Sequence, residues 1–288
     1  MKTLEQPKTS RGERLLFILL FLLSASLIYY FFVPWGTGQV LAKITDYLAK
    51  IFVGVLLLFL TFLARRSKRF QQYWRVIFAL FVLLLTISLT KVFGIYVIKE
   101  LGILDTTPAG WAFQKLNEAF IAVSVIIACT LKSGDRLGSI YIQKGNLKLG
   151  LLIGITTFVL AAAGSFPMAT LFNAQNLTIH RVIPWIPWVL LFVLSNAFME
   201  ELLFRGLFFK KLEPFVGKFL SNLMVAMVFT LLHGLSTYSV DQMLFLFILF
   251  PLALMWGYIM QKTDSIWGSV LFHAGMDIPI MLGIFSTL

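Results

Sequence analysis

The sequence predicts an all-α protein, a polytopic bundle of about eight or nine transmembrane helices. First, 59% of its 288 residues are hydrophobic and 13% are charged, whereas a soluble domain carries about 25% charged residues. Second, the apolar residues form long runs, and runs of about 20 such residues are typical of membrane-spanning helices. Third, the net charge of +11 lies mainly in short loops beside these runs. This placement indicates membrane topology rather than nucleic-acid binding.

Nine apolar segments are expected to form the helices. The segments 51–64 and 119–131 are short for a span, so flanking residues are expected to extend them. The first segment follows a basic N-terminus but is too long for a typical signal-peptide core, so it is interpreted as a retained helix. The stretch 138–150, GSIYIQKGNLKLG, is either an amphipathic segment or a plain loop. The nine segments are 15–33, 51–64, 76–95, 119–131, 149–171, 183–209, 219–236, 243–261 and 265–287.

The distribution of basic residues predicts the orientation of the bundle. Placing the N-terminus in the cytoplasm puts most of the 24 Lys and Arg residues on the cytoplasmic side, as the positive-inside rule requires. The loops 65–75, 132–148 and 210–218 then share that side. We expect an integral protein of a bacterial cytoplasmic membrane. Because the chain has one cysteine, Cys129, an intrachain disulfide and a thiolate metal cluster are excluded.

Ionisable side chains inside the apolar segments are the strongest indication of function. A charged residue at the centre of a spanning helix costs about 2.5–3.5 kcal/mol on insertion scales, so such residues usually face the protein interior or water. Lys91 lies near a helix end, where snorkelling would explain it. The remaining residues of this kind are Glu200, Glu201 and Arg205 in the sixth segment, His233 in the seventh, and His273 and Asp277 in the ninth.

Helical geometry divides the two adjacent glutamates between two roles. Glu201 and Arg205 are four residues apart, so they stack on one helix face and can form an ion pair. Glu200 lies about 100° around the helix from Glu201 and has no local partner. We therefore expect Glu201 and Arg205 to brace a site into which Glu200 projects. His233 and His273 are expected to converge with Glu200 on one polar cavity.

Three ordered motifs in the C-terminal half resemble those of a known family. EELLFR matches EExxxR, FTLLH matches FxxxH, and HAGMD matches HxxxN/D, at residues 200–205, 229–233 and 273–277. Together they resemble the CPBP family of intramembrane proteases, which includes CAAX prenyl proteases and bacteriocin-processing (Abi) proteins. The chain is accordingly divided into N-terminal helices without a recognised motif, residues 1–131, and a protease-like core, residues 132–288.

The resemblance implies a role for each motif residue. Glu200 would be the base that activates water, and His233 would bind or orient that water. His273 and Asp277 would stabilise the tetrahedral oxyanion. The structural supports would be Glu201, Arg205 and Phe229. The implied substrate is a peptide or protein at the membrane, and the implied surroundings are the lipid bilayer without nucleic acid. Substrate identity and oligomeric state stay open.

Two features of the resemblance leave alternatives. An ionised Asp277 would repel an oxyanion, so this residue is expected either to be protonated or to orient His273. Relatives are often called metalloproteases, and Glu200, His233 and His273 would be the ligands if a divalent metal such as zinc is used. A glutamate-activated water needs no metal, and the HExxH zinc motif is absent. No other cofactor is expected.

Two other functions compete with proteolysis. One is a non-catalytic membrane scaffold, regulator or immunity protein of the same fold, although all motif residues are intact. The other is a proton-coupled transporter, which would also use buried Glu and His. Such transporters show repeats with broken helices, and no repeat is visible here. The sequence therefore favours an intramembrane endopeptidase.

Overall fold

The chain folds into helices joined by short loops, as seen in a computed structural model that describes residues 10–32, 43–96, 100–102, 106–235 and 239–288. Within these ranges no residue is in a β-strand. The main helices are α1 (Arg11–Phe32), α2 (Lys43–Arg66), α3 (Trp74–Leu89), α4 (Pro108–Lys132), α5 (Leu147–Ala163), α6 (Ile186–Glu200), α7 (Leu207–His233), α8 (Gln242–Thr263) and α9 (Trp267–Ser286).

The described helices fit a membrane-spanning bundle. Seven helices are long and apolar enough to cross a membrane when the helical run Ile179–His233 is counted as one. There are eight when α5 and the segment Ser165–Phe172, bent by 68°, also count as one span. The predicted all-α polytopic fold is therefore confirmed. The two short segments are extended, as expected, into α2 and α4. The fifth predicted segment is straight only to Ala163 and then bends.

The stretch Ile179–His233, which forms one continuous helical run, contains a reversal of the chain. Gly217 interrupts it with φ 80° and ψ 171°, a conformation essentially restricted to glycine. The rings of Phe204 and Phe229 are 4.9 Å apart, whereas a straight helix would separate these residues by about 37 Å. The chain therefore folds back at Gly217, and the sixth and seventh predicted segments are two helices.

The three basic loops predicted to share one side of the bundle contact one another. The guanidinium of Arg75 lies 3.1 Å from the carboxylate of Asp135. The ammonium of Lys210 donates to the carbonyl of Gly138 at 2.9 Å. These contacts join the first loop to the second and the second to the third. That this side faces the cytoplasm remains a prediction from the charge distribution.

The stretch 138–150 is a loop that leads into α5, with Ile140 and Tyr141 buried and residues 144–146 exposed. A single 3-10 turn, Leu137–Ile140, leads to Tyr141 in the left-handed region at φ 61°. The hydroxyl of Tyr141 donates to Glu213 at 3.0 Å, and its carbonyl accepts from the backbone of Ile266 at 3.1 Å. Burial, with a smaller contribution from Glu213, raises the pKa of Tyr141. The loop therefore holds the ends of several helices together.

Three lysines lie deeper than the sequence indicated. Lys50 and Lys91 both donate to one carboxylate oxygen of Asp46, at 2.8 and 3.0 Å. Lys91 is 9% exposed, so the snorkelling interpretation is wrong, because its charge is compensated inside the protein. Lys50 and Lys115 precede the predicted segments 51–64 and 119–131, and the expected extension of these segments places them within α2 and α4. Lys115 pairs with Glu118 at 2.7 Å.

Close packing of α5 against α9 depends on glycines. A Cβ at Gly268 would lie 2.7 Å from the carbonyl oxygen and 2.9 Å from the Cα of Gly150. Both atoms belong to the backbone, so no side-chain movement could relieve the clash. Small residues at such positions let helix backbones approach closely in a membrane. Since α9 carries His273 and Asp277, this contact fixes the depth and rotation of half of the candidate site.

We expect Gly268→Ala to lower the thermal stability of the purified protein, because the added methyl group must push α5 and α9 apart. Overpacking of this kind costs typically about 1–3 kcal/mol. Gly54→Ala is the matched control, since its Cβ would meet side-chain atoms at 3.9 Å. The measurement is the unfolding midpoint of both variants in one detergent. Equal midpoints for the two variants would contradict the packing argument.

Candidate active site

One cavity of about 670 Å³ inside the bundle is lined by the motif residues Glu200, Phe229, His233, His273 and Asp277. Helix α6 contributes Glu200, α7 contributes His233, and α9 contributes His273 and Asp277. Most other lining residues are apolar, which is the usual composition of a ligand site with a few convergent polar groups. The predicted convergence of Glu200, His233 and His273 is therefore present in the structure.

Glu201 is enclosed in a network that compensates its charge. Its Oε1 atom accepts from Arg205 at 2.7 Å and from His273 Nδ1 at 2.8 Å, and its Oε2 atom accepts from Ser269 at 2.5 Å. Glu201 and Arg205 are both 0% exposed. The predicted ion pair is present, and it also extends to two residues of α9. Glu201 thereby connects the EExxxR motif to α9, the helix that carries the HxxxN/D motif.

The backbone around this ion pair is a π-helical turn, Glu201–Gly206. Such turns are rare and frequently occur at functional sites. Arg205 reaches beyond Glu201, because its Nη2 atom also donates to the carbonyl of Ala253 in α8 at 3.2 Å. The turn therefore connects the EExxxR segment with both α8 and α9.

Glu200 has a different environment although it is adjacent in sequence. Its Oε2 atom lies 3.6 Å from His273 Nε2. Among the described residues this oxygen is buried and has no hydrogen-bond partner. The side chain opens into the cavity. A buried carboxylate oxygen without a partner is costly, and at this position it faces space that a water or substrate can fill.

Aromatic rings fix the imidazole of His273. The ring of Trp256 stacks on it at a centroid distance of 4.0 Å and an angle of 9°. The ring of Phe229 meets it edge-on at 5.9 Å and also lies 4.6 Å from the guanidinium carbon of Arg205. Phe229, the first residue of the FxxxH motif, thus contacts both His273 and Arg205, and its role as a structural support stays a prediction. Trp256 was not singled out from the sequence.

The Nδ1 atoms of both cavity histidines are anchored. His233 Nδ1 lies 2.8 Å from the carbonyl oxygen of Phe229, which can only accept, so Nδ1 carries the proton. His273 Nδ1 likewise faces the carboxylate of Glu201 at 2.8 Å. Since a neutral imidazole carries one proton, Nε2 of a neutral His233 is an acceptor. Such an atom can accept a hydrogen bond from water.

Asp277 has a partner that the sequence analysis missed. The amide of Asn196 donates to Asp277 Oδ2 at 3.0 Å, while Oδ1 lies 3.6 Å from His273 Nε2. Asn196 is four residues before Glu200 on α6 and also lines the cavity. This spacing was the available signal, because residues four apart share a helix face. Ser269, four residues before His273, could have been found in the same way.

A second missed group comes from the N-terminal helices. Gln114, Lys115 and Glu118 of α4 line the same cavity as Glu200. Lys115 donates to Glu118 Oε2 at 2.7 Å, and Gln114 donates to Oε1 at 3.3 Å. The predicted segment, 119–131, begins only after these residues, so the sequence did not single them out as site residues. Gln114 and Lys115 lie four and three residues before Glu118, a spacing that places all three on one helix face. This spacing was the signal that could have identified them.

The residues that would hold a metal do not form a ligand set. In the described part of the chain, no three His, Cys, Asp or Glu side chains are arranged so that they could hold one metal ion. The zinc set of Glu200, His233 and His273 therefore does not fit this geometry, and the mechanism proposed below uses no metal.

Comparison with known proteins supports the motif assignment. Residues 182–279 match the family described as type II CAAX prenyl endopeptidase Rce1-like. The matched region contains all three motifs, so the resemblance inferred from them is confirmed for this part of the chain. No curated protein and no solved structure matches the chain. The family supports a CAAX-type protease embedded in a membrane.

We expect Arg205→Met to destabilise the protein, because it leaves the carboxylate of Glu201 buried without its cation. Breaking one side of a buried pair costs about 3–5 kcal/mol. The double variant Glu201→Gln/Arg205→Met removes both charges and should recover part of this loss. Unfolding midpoints in detergent measure the effect. A single variant as stable as the unmodified protein would show that the pair has no structural role.

Proposed function

We propose that this protein is an intramembrane endopeptidase of the CAAX type, in which Glu200 activates the water that hydrolyses a peptide bond. The observation that carries the proposal is the contrast between the two adjacent glutamates. Glu201 accepts hydrogen bonds from three side chains, whereas Glu200 presents an oxygen without a hydrogen-bond partner in the described structure. A general base needs a carboxylate that can accept a proton, and Glu200 meets this condition.

In the first step a water binds in the cavity between Glu200 and His233. Glu200 removes one proton from this water, while Nε2 of neutral His233 accepts a hydrogen bond from its other proton. The oxygen then attacks the scissile carbonyl carbon, which forms a tetrahedral intermediate. Positioned bases of this kind contribute typically about 10²–10⁴-fold to the rate.

His273 stabilises the oxyanion that develops in this intermediate. Because Nδ1 donates to Glu201, a second proton on Nε2 makes the ring an imidazolium and leaves Nε2–H as a donor towards the cavity. The carboxylates of Glu201, Glu200 and Asp277 compensate its charge. Preorganised donors of this kind act most strongly in a site from which water is largely excluded. Trp256 holds the ring plane in place through the stacking contact.

The intermediate collapses when Glu200 returns its proton to the leaving amine. The carbon–nitrogen bond breaks, a carboxylic acid and an amine form, and Glu200 is again ionised. The new acid then gives its proton to the amine, which leaves a carboxylate and an ammonium as products. Asp277 is an acceptor for the Asn196 amide, so in this mechanism it orients His273 and does not donate to the oxyanion. The 3.6 Å between its Oδ1 atom and His273 Nε2 supports this role.

We expect Glu200→Gln to lower the rate of peptide hydrolysis by about 10²–10⁴-fold without reducing the amount of folded protein. The reason is that the amide keeps the size of the side chain but cannot accept the proton. The measurement is cleavage of a quenched fluorescent CAAX-type farnesylated peptide by purified protein in nanodiscs. Rates are normalised to the monodisperse fraction.

Glu201→Gln is the matched comparison. It should act mainly on stability, because it leaves the buried Arg205 without its partner, and its rate per folded molecule should exceed that of Glu200→Gln. An active Glu200→Gln beside a folded but inactive Glu201→Gln would reverse the two roles. A non-catalytic scaffold would show equal behaviour of the unmodified protein and Glu200→Gln in every assay.

A further inference from the structure

The wall of the cavity opposite the motif helices carries a buried cation. Lys115 of α4 lines the cavity, its side chain is 14% exposed, and it interacts electrostatically with Glu200 and Asp277. It lies outside residues 182–279, the region that matches the protease family. The mechanism proposed above gives it no task. An ammonium in this position is costly, which points to a function in the cavity.

The charges around Lys115 define which group it could bind. In the described part of the chain it is the one Lys or Arg among the cavity-lining residues, while the lining carboxylates are Glu118, Glu200, Asp241 and Asp277. An anionic group of a substrate would be repelled from most of this cavity. Away from His273, whose charge three carboxylates compensate in the proposed mechanism, the surroundings of Lys115 offer such a group a favourable charge. The cavity therefore favours a bound peptide whose negative charge lies near Lys115.

Glu118 and Gln114 hold the ammonium in a defined place. Glu118 accepts from Lys115 at 2.7 Å and from Gln114 at 3.3 Å, so the carboxylate is fixed from two directions. The ammonium also lies 5.5 Å from the ring centre of Phe192. An ammonium has three donors, and a carboxylate of the substrate can share it with Glu118. A preorganised charged donor gives more specificity than a mobile one.

The position of Lys115 along the cavity fits a short distance to the reaction centre. Phe192 precedes Glu200 by eight residues on α6, which corresponds to about 12 Å along the helix axis. An extended peptide advances about 3.3 Å per residue. A group bound at Lys115 therefore lies within a few extended residues of a peptide bond at Glu200.

We propose that Lys115 binds the free C-terminal carboxylate of the peptide substrate and so selects a scissile bond a few residues before the chain end. This inference rests on the proposed peptidase function, and it adds a specificity-determining residue from a helix outside the family match. Lys115 acts on substrate binding and register. Glu118 and Gln114 are positioning residues for its ammonium.

The test measures binding separately from hydrolysis. The probe is a fluorescein-labelled, S-farnesylated CAAX-type octapeptide, made once with a free C-terminal carboxylate and once as the C-terminal amide. Its affinity is measured by fluorescence anisotropy with the Glu200→Gln protein in nanodiscs, so that no turnover occurs. We expect the carboxylate peptide to bind about 10- to 100-fold more tightly than the amide, as for a hydrogen bond to a charged group.

Introducing Lys115→Met into this protein should abolish the preference for the carboxylate while leaving the affinity for the amide nearly unchanged. The matched control is Lys211→Met, which removes a partly buried lysine that donates to the carbonyl of Leu207 and does not line the cavity. It should keep the preference. If Lys115→Met folds poorly, Lys115→Met/Glu118→Gln removes both charges together and should lose the preference in the same way.

Equal affinities of the Glu200→Gln protein for the two peptides would overturn the assignment of Lys115, and so would a preference that survives both Lys115 variants. Neither result would affect the role of Glu200, which is tested by hydrolysis. Conversely, a hydrolytically active Glu200→Gln protein would refute the proposed base, while a carboxylate preference that depends on Lys115 would still support the binding site.

Discussion

A charge enclosed in an apolar bundle has to be compensated within the protein. The contacts that compensate the carboxylate of Glu201 also hold several helices of the site together. Its two oxygens accept from Arg205, Ser269 and His273 at 2.7, 2.5 and 2.8 Å. Because Arg205 also donates to Ala253, the network joins α8 and α9 to the π-helical turn of the EExxxR motif. It orients the ring of His273 as a consequence of neutralising a buried charge.

The two adjacent glutamates show how environment separates identical side chains into different roles. Glu201 is fully enclosed and saturated with donors. Glu200 is one residue away, yet its carboxylate faces the cavity and leaves an oxygen without a hydrogen-bond partner in the described structure. Burial, nearby charges and hydrogen bonds decide how readily a carboxylate accepts a proton, and all three differ between these neighbours. Both cavity histidines are likewise held through their Nδ1 atoms, His233 by the carbonyl of Phe229 and His273 by the carboxylate of Glu201.

The motif helices depend on the N-terminal helices for part of the site. Tyr29 of α1 stacks on Phe204, inside the EExxxR segment, at 4.6 Å. Helix α4 supplies the Lys115–Glu118 pair to the cavity wall. The N-terminal helices also compensate their own charges internally, as Asp46 does with two lysines. The region without a recognised motif is therefore structurally continuous with the cavity, although the family match does not reach it.

The sequence by itself determined the features that depend on composition and local spacing. Apolar runs predicted the helices, and the four-residue spacing predicted the Glu201–Arg205 pair, because neighbours on one helix face meet whatever surrounds the helix. Tertiary structure alone decided which side chains of different helices meet. The contact of Glu201 with Ser269, the bond between Asn196 and Asp277, and the place of Lys115 in the cavity depend on how each helix is rotated and how deep it lies. Lys91 was misassigned for the same reason, since its partner Asp46 is 45 residues away in the chain and hydropathy contains no information about such a distant contact.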